Sequence, residues 1–205
     1  MKNQSKVSLP NLINSLDLMF PNAKCELNYS NLFELIIAVV LSAQTTDKRV
    51  NQVTEVLFSK YSDYKLLSKA NINDVIDIIK PLGMYKIKAN NIIELSKKLD
   101  NLGFIPDTLE GLMSLDGVGR KSANVILSEY FKIPRIAVDT HVYRTSIRLN
   151  LAKGSVLDVE KTLMDIFEEK YWYYIHIHLV LLGRYICKAQ KPLCDKCLIK
   201  DCPSR

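Results

Sequence analysis

Across 205 residues, 48% are hydrophobic and 24% charged, enough apolar side chains to bury one sizeable core or two smaller ones and too many for a disordered chain. Lys and Arg outnumber Asp and Glu by 28 to 22, a formal net charge of +6 that suits a polyanionic partner. The longest uninterrupted apolar run, Leu35 to Leu41, is far too short to span a bilayer, and the opening MKNQSKVSLPNL has no apolar stretch of a secretory signal, so a cytoplasmic, non-membrane protein is expected.

The apolar spacing is helical from end to end, predicting an all-α fold of about ten helices joined by short turns. Ser8 to Phe20 forms one apolar face closed by Pro21. Asn31, with Glu34 three residues on, opens Leu32 to Ala43, a helix apolar nearly all round and therefore buried. Gln44, Thr45, Thr46 and Asp47 interrupt it, with Thr46 or Asp47 capping the next helix, Lys48 to Tyr61. A turn-helix at Ser62 to Leu67 and a helix from Ile72 to Ile79 follow, stopped by Pro81. The loop Leu82, Gly83, Met84, Tyr85 carries large apolar side chains, which either fold onto the core or form a wedge for a kinked base stack. Lys86 to Leu99 is amphipathic and closed at Asn101 to Gly103, and Pro106 to Ser114 reads as a short helix opened by Pro106 or Asp107.

Asp116, Gly117, Val118 and Gly119 then break the helical pattern before Lys121 to Phe131 resumes it. A helix–hairpin–helix of this kind leaves backbone N–H groups free at the start of its second helix, where they can hold a phosphate without reading a base. Lys121 falls in that helix's first turn, where a cation is electrostatically disfavoured and the neutral, nucleophilic amine is favoured. Asp139 precedes Thr140, His141 and an amphipathic run, the position of an N-cap; an ionised carboxylate there can also stabilise a developing cation or relay a proton. Further on, Ser155 and Asp158 resemble a capping box for Val156 to Lys170. Tyr171 to Ile186 reads as one apolar helix, whose His176 and His178 cannot share a face as metal ligands.

The positive charge is segregated. Tyr130 to Lys153 carries Lys132, Arg135, Arg144, Arg148 and Lys153 against Asp139, and Arg184 to Arg205 carries six basic residues against two acidic ones, while Gly154 to Gly183 is locally acidic. Four of the five cysteines, Cys187, Cys194, Cys197 and Cys202, crowd into the last 19 residues with spacing C-x6-C-x2-C-x4-C. In a reducing compartment four such thiolates hold zinc or an iron–sulfur cluster, and the chemistry alone does not choose. Cys25 stands apart and reads as a buried hydrophobe.

LDGVGRKSANVIL followed by IAVDTH, with LSAQTTD before them and the four-cysteine tail after, resembles the helix-hairpin-helix and Gly/Pro-Asp loop of the endonuclease III family of DNA glycosylases. The resemblance implies a six-helix barrel domain over residues 23–134, a second helical domain of residues 1–22 and 135–205 with a [4Fe-4S] cluster, and DNA bound in a cleft between them. It implies a base-excision-repair glycosylase and abasic-site lyase, acting as a monomer on double-stranded DNA with damaged bases or abasic sites. The enzyme would flip out oxidised pyrimidines, with Lys121 attacking C1′ and Asp139 as its partner carboxylate. By the same analogy, Gln44 fills the space left by the flipped nucleotide, Leu82 is the wedge, and Ser42, Asp47 and His141 line the lesion pocket. Gly117, Val118, Gly119, Arg120, Lys188 and Lys191 would contact DNA, and Cys187, Cys194, Cys197 and Cys202 would ligate the cluster. The family's last cysteine gap has five residues and this one four, which bears on Cys202. A monofunctional mismatch glycosylase and a non-catalytic, zinc-stabilised DNA-binding module are the alternatives.

Overall fold

The computed structural model describes residues 7–205, so the first six residues of the expected 1–22 segment, and the MKNQSK opening, lie outside the described residues. Among the described residues the regular structure is entirely helical, in two compact units: Glu26–Ile133, and the described residues through Cys25 together with Pro134–Arg205.

The central unit is built on α2 (Leu32–Leu41), in which Phe33 and every residue from Leu35 to Leu41 are buried. Its start is fixed by Asn31, whose side chain accepts from Glu34 N–H, while the Glu34 carboxylate reaches back to Ser30 N–H. A helix without a polar face must be enclosed on all sides, and α3 (Asp47–Lys60), α6 (Tyr85–Leu102) and α8 (Arg120–Glu129) pack against it. Between them run the short helices α4 (Tyr64–Ser68), capped by Asp63, and α5 (Ile72–Ile79), capped by Asn71. α6 ends at Gly103 in the left-handed conformation. α7 (Leu109–Met113) begins later than Pro106 or Asp107 would place it, because Thr108 supplies the cap by accepting from Gly111 N–H.

In the other unit, α1 (Leu9–Met19), α9 (Thr140–Arg148), α10 (Val156–Ile166) and α11 (Trp172–Leu181) share a core that includes Leu12, Leu16, Val142, Val159, Leu163 and Leu179. Ser155 and Asp158 form a reciprocal capping box at the start of α10. That helix stops at Ile166 rather than Lys170: Phe167 is extended and its carbonyl accepts from Trp172 Nε1. The expected single helix 171–186 is α11 followed by a π-helical turn, Leu182–Ile186. Both histidines of α11 are core residues; His178 Nδ1 donates to Tyr174 O, and burial pushes its pKa down. Cys25 is half-buried rather than buried.

Because α2 is enclosed on every side, Ile37→Ala is expected to destabilise the protein by about 2–5 kcal/mol, whereas exposed Val56→Ala should stay within about 0.5 kcal/mol. Urea denaturation followed by circular dichroism would measure both.

Candidate nucleic-acid interface and cysteine site

The hairpin between α7 and α8 is shaped by backbone geometry. Gly117 has φ +77°, a left-handed backbone that favours glycine, and a Cβ there would crowd Asn91 Nδ2 and Val40 Cγ1 at 3.0 Å each. Val118 N–H donates to Leu115 O at 3.1 Å and its side chain is buried, which anchors the loop to the core. Gly119 caps α8 and has no heavy atom within 4 Å of its Cβ position, so the turn is open at the glycine that precedes the helix. Lys98 Nζ braces the approach, 3.1 Å from Asp116 Oδ2 and 2.8 Å from Ser114 O. Arg120 and Lys121 are exposed in the first turn of α8.

At the far end of α2 the chain leaves the helix in a tight turn. Ser42 donates its Oγ–H to Val39 O at 2.8 Å, so its donor is spent on the helix end. Gln44, exposed, has φ +54°, a conformation that costs a non-glycine residue and ends the helix short of Ala43. Thr45 stabilises the turn: its N–H donates to Ser42 O and its hydroxyl to Ala43 O. Thr46 holds the N-cap position of α3 and Asp47, half-buried, is its first residue.

Leu82 is not an exposed wedge. Its N–H bonds Ile79 O at 2.8 Å in the turn after α5, which carries the side chain inward to 1% exposure. The apolar tip of the loop is Met84, 51% exposed with φ +57° at the start of α6.

In the other unit, Asp139 caps α9: its Oδ1 accepts from His141 N and Val142 N, both at 2.8 Å, which leaves Oδ2 outside the cap. His141 Nδ1 accepts from Arg144 at 3.2 Å, since a guanidinium can only donate. Gly183 of the π turn allows close approach here, since a Cβ would fall 2.8 Å from His141 Cβ. Lys121 and Asp139 belong to different units.

The charge pattern overstated the free basic surface. Arg144 donates to Cys187 O at 3.0 Å and Gly183 O at 2.8 Å; Arg148 donates to Lys188 O at 2.7 Å, Ala189 O at 3.0 Å and Cys187 Sγ at 3.4 Å. Arg148 is therefore committed to the cysteine loop, and Arg144 to Cys187 O at its start, to the π turn and to its own helix. Lys188 and Lys191 are exposed on it.

Cys187, Cys194, Cys197 and Cys202 are all free thiols and line one cavity with Leu149, Leu182, Ile186 and Ile199. Among the described residues no three His, Cys, Asp or Glu side chains gather as a single metal ion needs, although all four cysteines line the same cavity. Burial pushes the Cys197 and Cys202 thiols up, and the neighbouring sulfurs add to the rise. Four thiols lining one largely apolar space are a donor set that suits zinc or an iron–sulfur cluster.

Sequence reasoning passed over Lys88, named Met84 only as one of several apolar residues of its loop, and counted Arg144 and Arg148 as basic surface rather than as anchors of carbonyls. Lys88 had a signal: with Ile92, Leu95 and Leu99 it continues the buried stripe of α6.

Residues 37–169 match the HhH-GPD superfamily of base excision DNA repair proteins. The chain is 49% identical to endonuclease III of Bacillus subtilis over 87% of its own length and 84% of the relative's, and 41% identical to that of Escherichia coli over 88% and 87%. Its structure is similar to that of a trapped covalent endonuclease III–DNA intermediate, with TM-score 0.89 and 45% identity over 94% of this chain and 92% of the other. It is also similar to a non-covalent endonuclease III–DNA complex, with TM-score 0.91 and 44% identity over 96% and 94%. A thermostable thymine-DNA glycosylase, 19% identical with TM-score 0.77, shares the fold. By sequence and fold, the chain belongs to the endonuclease III family, the bifunctional DNA glycosylases and abasic-site lyases of base excision repair.

Proposed function

We propose that this protein excises oxidised pyrimidines from duplex DNA and cuts the resulting abasic strand, with Lys121 as nucleophile. The observation that carries the reading is the position of Lys121, exposed in the first turn of α8 directly after a hairpin whose open backbone suits a phosphate. With a nucleotide flipped out, the neutral amine attacks C1′ and the glycosidic bond breaks, its electron pair leaving with the base. The resulting N,O-acetal opens by breaking C1′–O4′, with O4′ taking up a proton, to give a protonated Schiff base, and loss of a C2′ proton then expels the 3′ phosphate by β-elimination. Asp139, whose Oδ2 is outside the cap, is the partner carboxylate that takes up the lysine proton and stabilises positive charge on the sugar.

The other assignments follow the same reading. Gln44 fills the vacated space in the duplex, and the wedge role passes from buried Leu82 to exposed Met84. Gly117 to Arg120 hold the backbone. Asp47 and His141 face the lesion, as does Ser42 through its acceptor lone pairs. Cys187, Cys194, Cys197 and Cys202 ligate a [4Fe-4S] cluster, which supplies a rigid anchor for the loop that displays Lys188 and Lys191. Arg144 and Arg148 hold that loop's carbonyls. The protein acts as a cytoplasmic monomer, with residues 23–134 as the barrel domain and 1–22 with 135–205 as the cluster domain.

Borohydride should trap a covalent adduct between the protein and an abasic-site duplex, and Lys121→Ala and Lys121→Gln should both abolish it; an undiminished adduct in either variant removes Lys121 as nucleophile. Purified protein should be brown, with about four iron and four sulfide per chain; a colourless protein with stoichiometric zinc contradicts the cluster. Binding to undamaged duplex should weaken with salt, and Lys188→Ala and Lys191→Ala should each flatten the log–log slope by about 0.9. An unaltered slope in both would remove these lysines from the interface.

A further inference from the structure

Lys88 is a lysine in the wrong place for solubility. It lies one turn into α6, its N–H on Met84 O, and only 4% of it is exposed. Among the described residues no carboxylate pairs with the ammonium: burial lowers its pKa, and its Nζ donates to Thr45 Oγ1 at 2.8 Å. Thr45 in turn donates that hydroxyl hydrogen to Ala43 O, across the strained Gln44. The donor from Lys88 occupies a lone pair of Thr45 Oγ1 and so directs the hydroxyl hydrogen toward Ala43. A second tie runs the opposite way, from Arg49 of α3 to Pro81 O at 3.2 Å. The loop that ends α2 and the loop that begins α6 are thus reciprocally braced within one unit, each by a cation from the helix following the other.

We propose that Lys88 is a positioning residue that couples the Gln44 loop to the Met84 loop, so that both enter the duplex in register when a nucleotide is extruded. A buried cation with one neutral partner adds little to folding, so what Lys88 contributes at this spot is the geometry it imposes. This rests on the roles of Gln44 and Met84 given above. Extrusion needs both loops, whereas cleavage at a preformed abasic site depends less on them, because an unpaired sugar leaves the stack more readily.

The test compares Lys88→Met, Thr45→Val and Thr45→Ser for single-turnover excision of an oxidised pyrimidine, cleavage of a preformed abasic site, and thermal stability. It adds fluorescence of 2-aminopurine placed opposite a tetrahydrofuran abasic analogue. Lys88→Met and Thr45→Val should each lower base excision about 10- to 100-fold and cut the fluorescence rise on binding. They should lower abasic-site cleavage by much less, and Lys88→Met should keep or raise the melting temperature. Thr45→Ser, which keeps the hydroxyl, should retain both readouts, and the double variant should be no worse than the worse single one. If Lys88→Met fails to fold, the Thr45→Val and Thr45→Ser pair decides. Unchanged excision and fluorescence in a folded Lys88→Met protein, or equal losses in both reactions with a lowered melting temperature, would overturn the proposal. Gln44→Ala and Met84→Ala run alongside. If neither lowers excision, the loop roles themselves fail and the brace falls with them. If either does while Lys88→Met is silent, only the coupling is wrong.

Discussion

Burial of α2 is the constraint on which the central unit depends. Seven consecutive apolar residues cannot be solvated on any face, so α3, α6 and α8 must enclose them. That enclosure fixes the two ends of α2 relative to the enclosing helices. Val40, in its last turn, stands against Gly117 of the hairpin, as does Asn91 of α6. Immediately beyond, the chain turns through Gln44, where Lys88 of α6 holds Thr45. The hairpin, the Gln44 loop and the Met84 loop are therefore not independent surface loops; all three are mounted on helices packed around one apolar rod.

Most of the helices were legible because caps and apolar stripes are local. Asn31, Asp139, Ser155 and Asp158 mark helix starts through side-chain and backbone groups two or three residues away, and the structure has each of those bonds. The misplaced ends were set by longer-range contacts. α10 stops where Trp172 takes the Phe167 carbonyl, and the π turn after α11 lies where Gly183 closes on His141. Neither contact leaves a periodic trace in the sequence.

The candidate site was legible in its residue types and less so in its side-chain directions. A loop containing both Leu82 and Met84 offers two apolar candidates, and only the turn after α5 decides that Leu82 points inward. Charge counting failed for a related reason. Arg144 and Arg148 add to the basic total of their segment, yet the guanidinium fork that suits phosphates also suits clustered carbonyls, and both side chains are spent on carbonyls of the π turn and the cysteine loop. The exposed cations of that loop are the shorter list, with Lys188 and Lys191 among them.

Amide hydrogen exchange, with and without a duplex carrying an uncleavable abasic analogue, tests most directly whether segments mounted on one buried core act as a single DNA-engaging surface. Protection should rise together at residues 42–46, 83–88 and 117–122, and also along 187–193. Protection confined to 187–205, with the three central segments exchanging as in the free protein, would contradict the account.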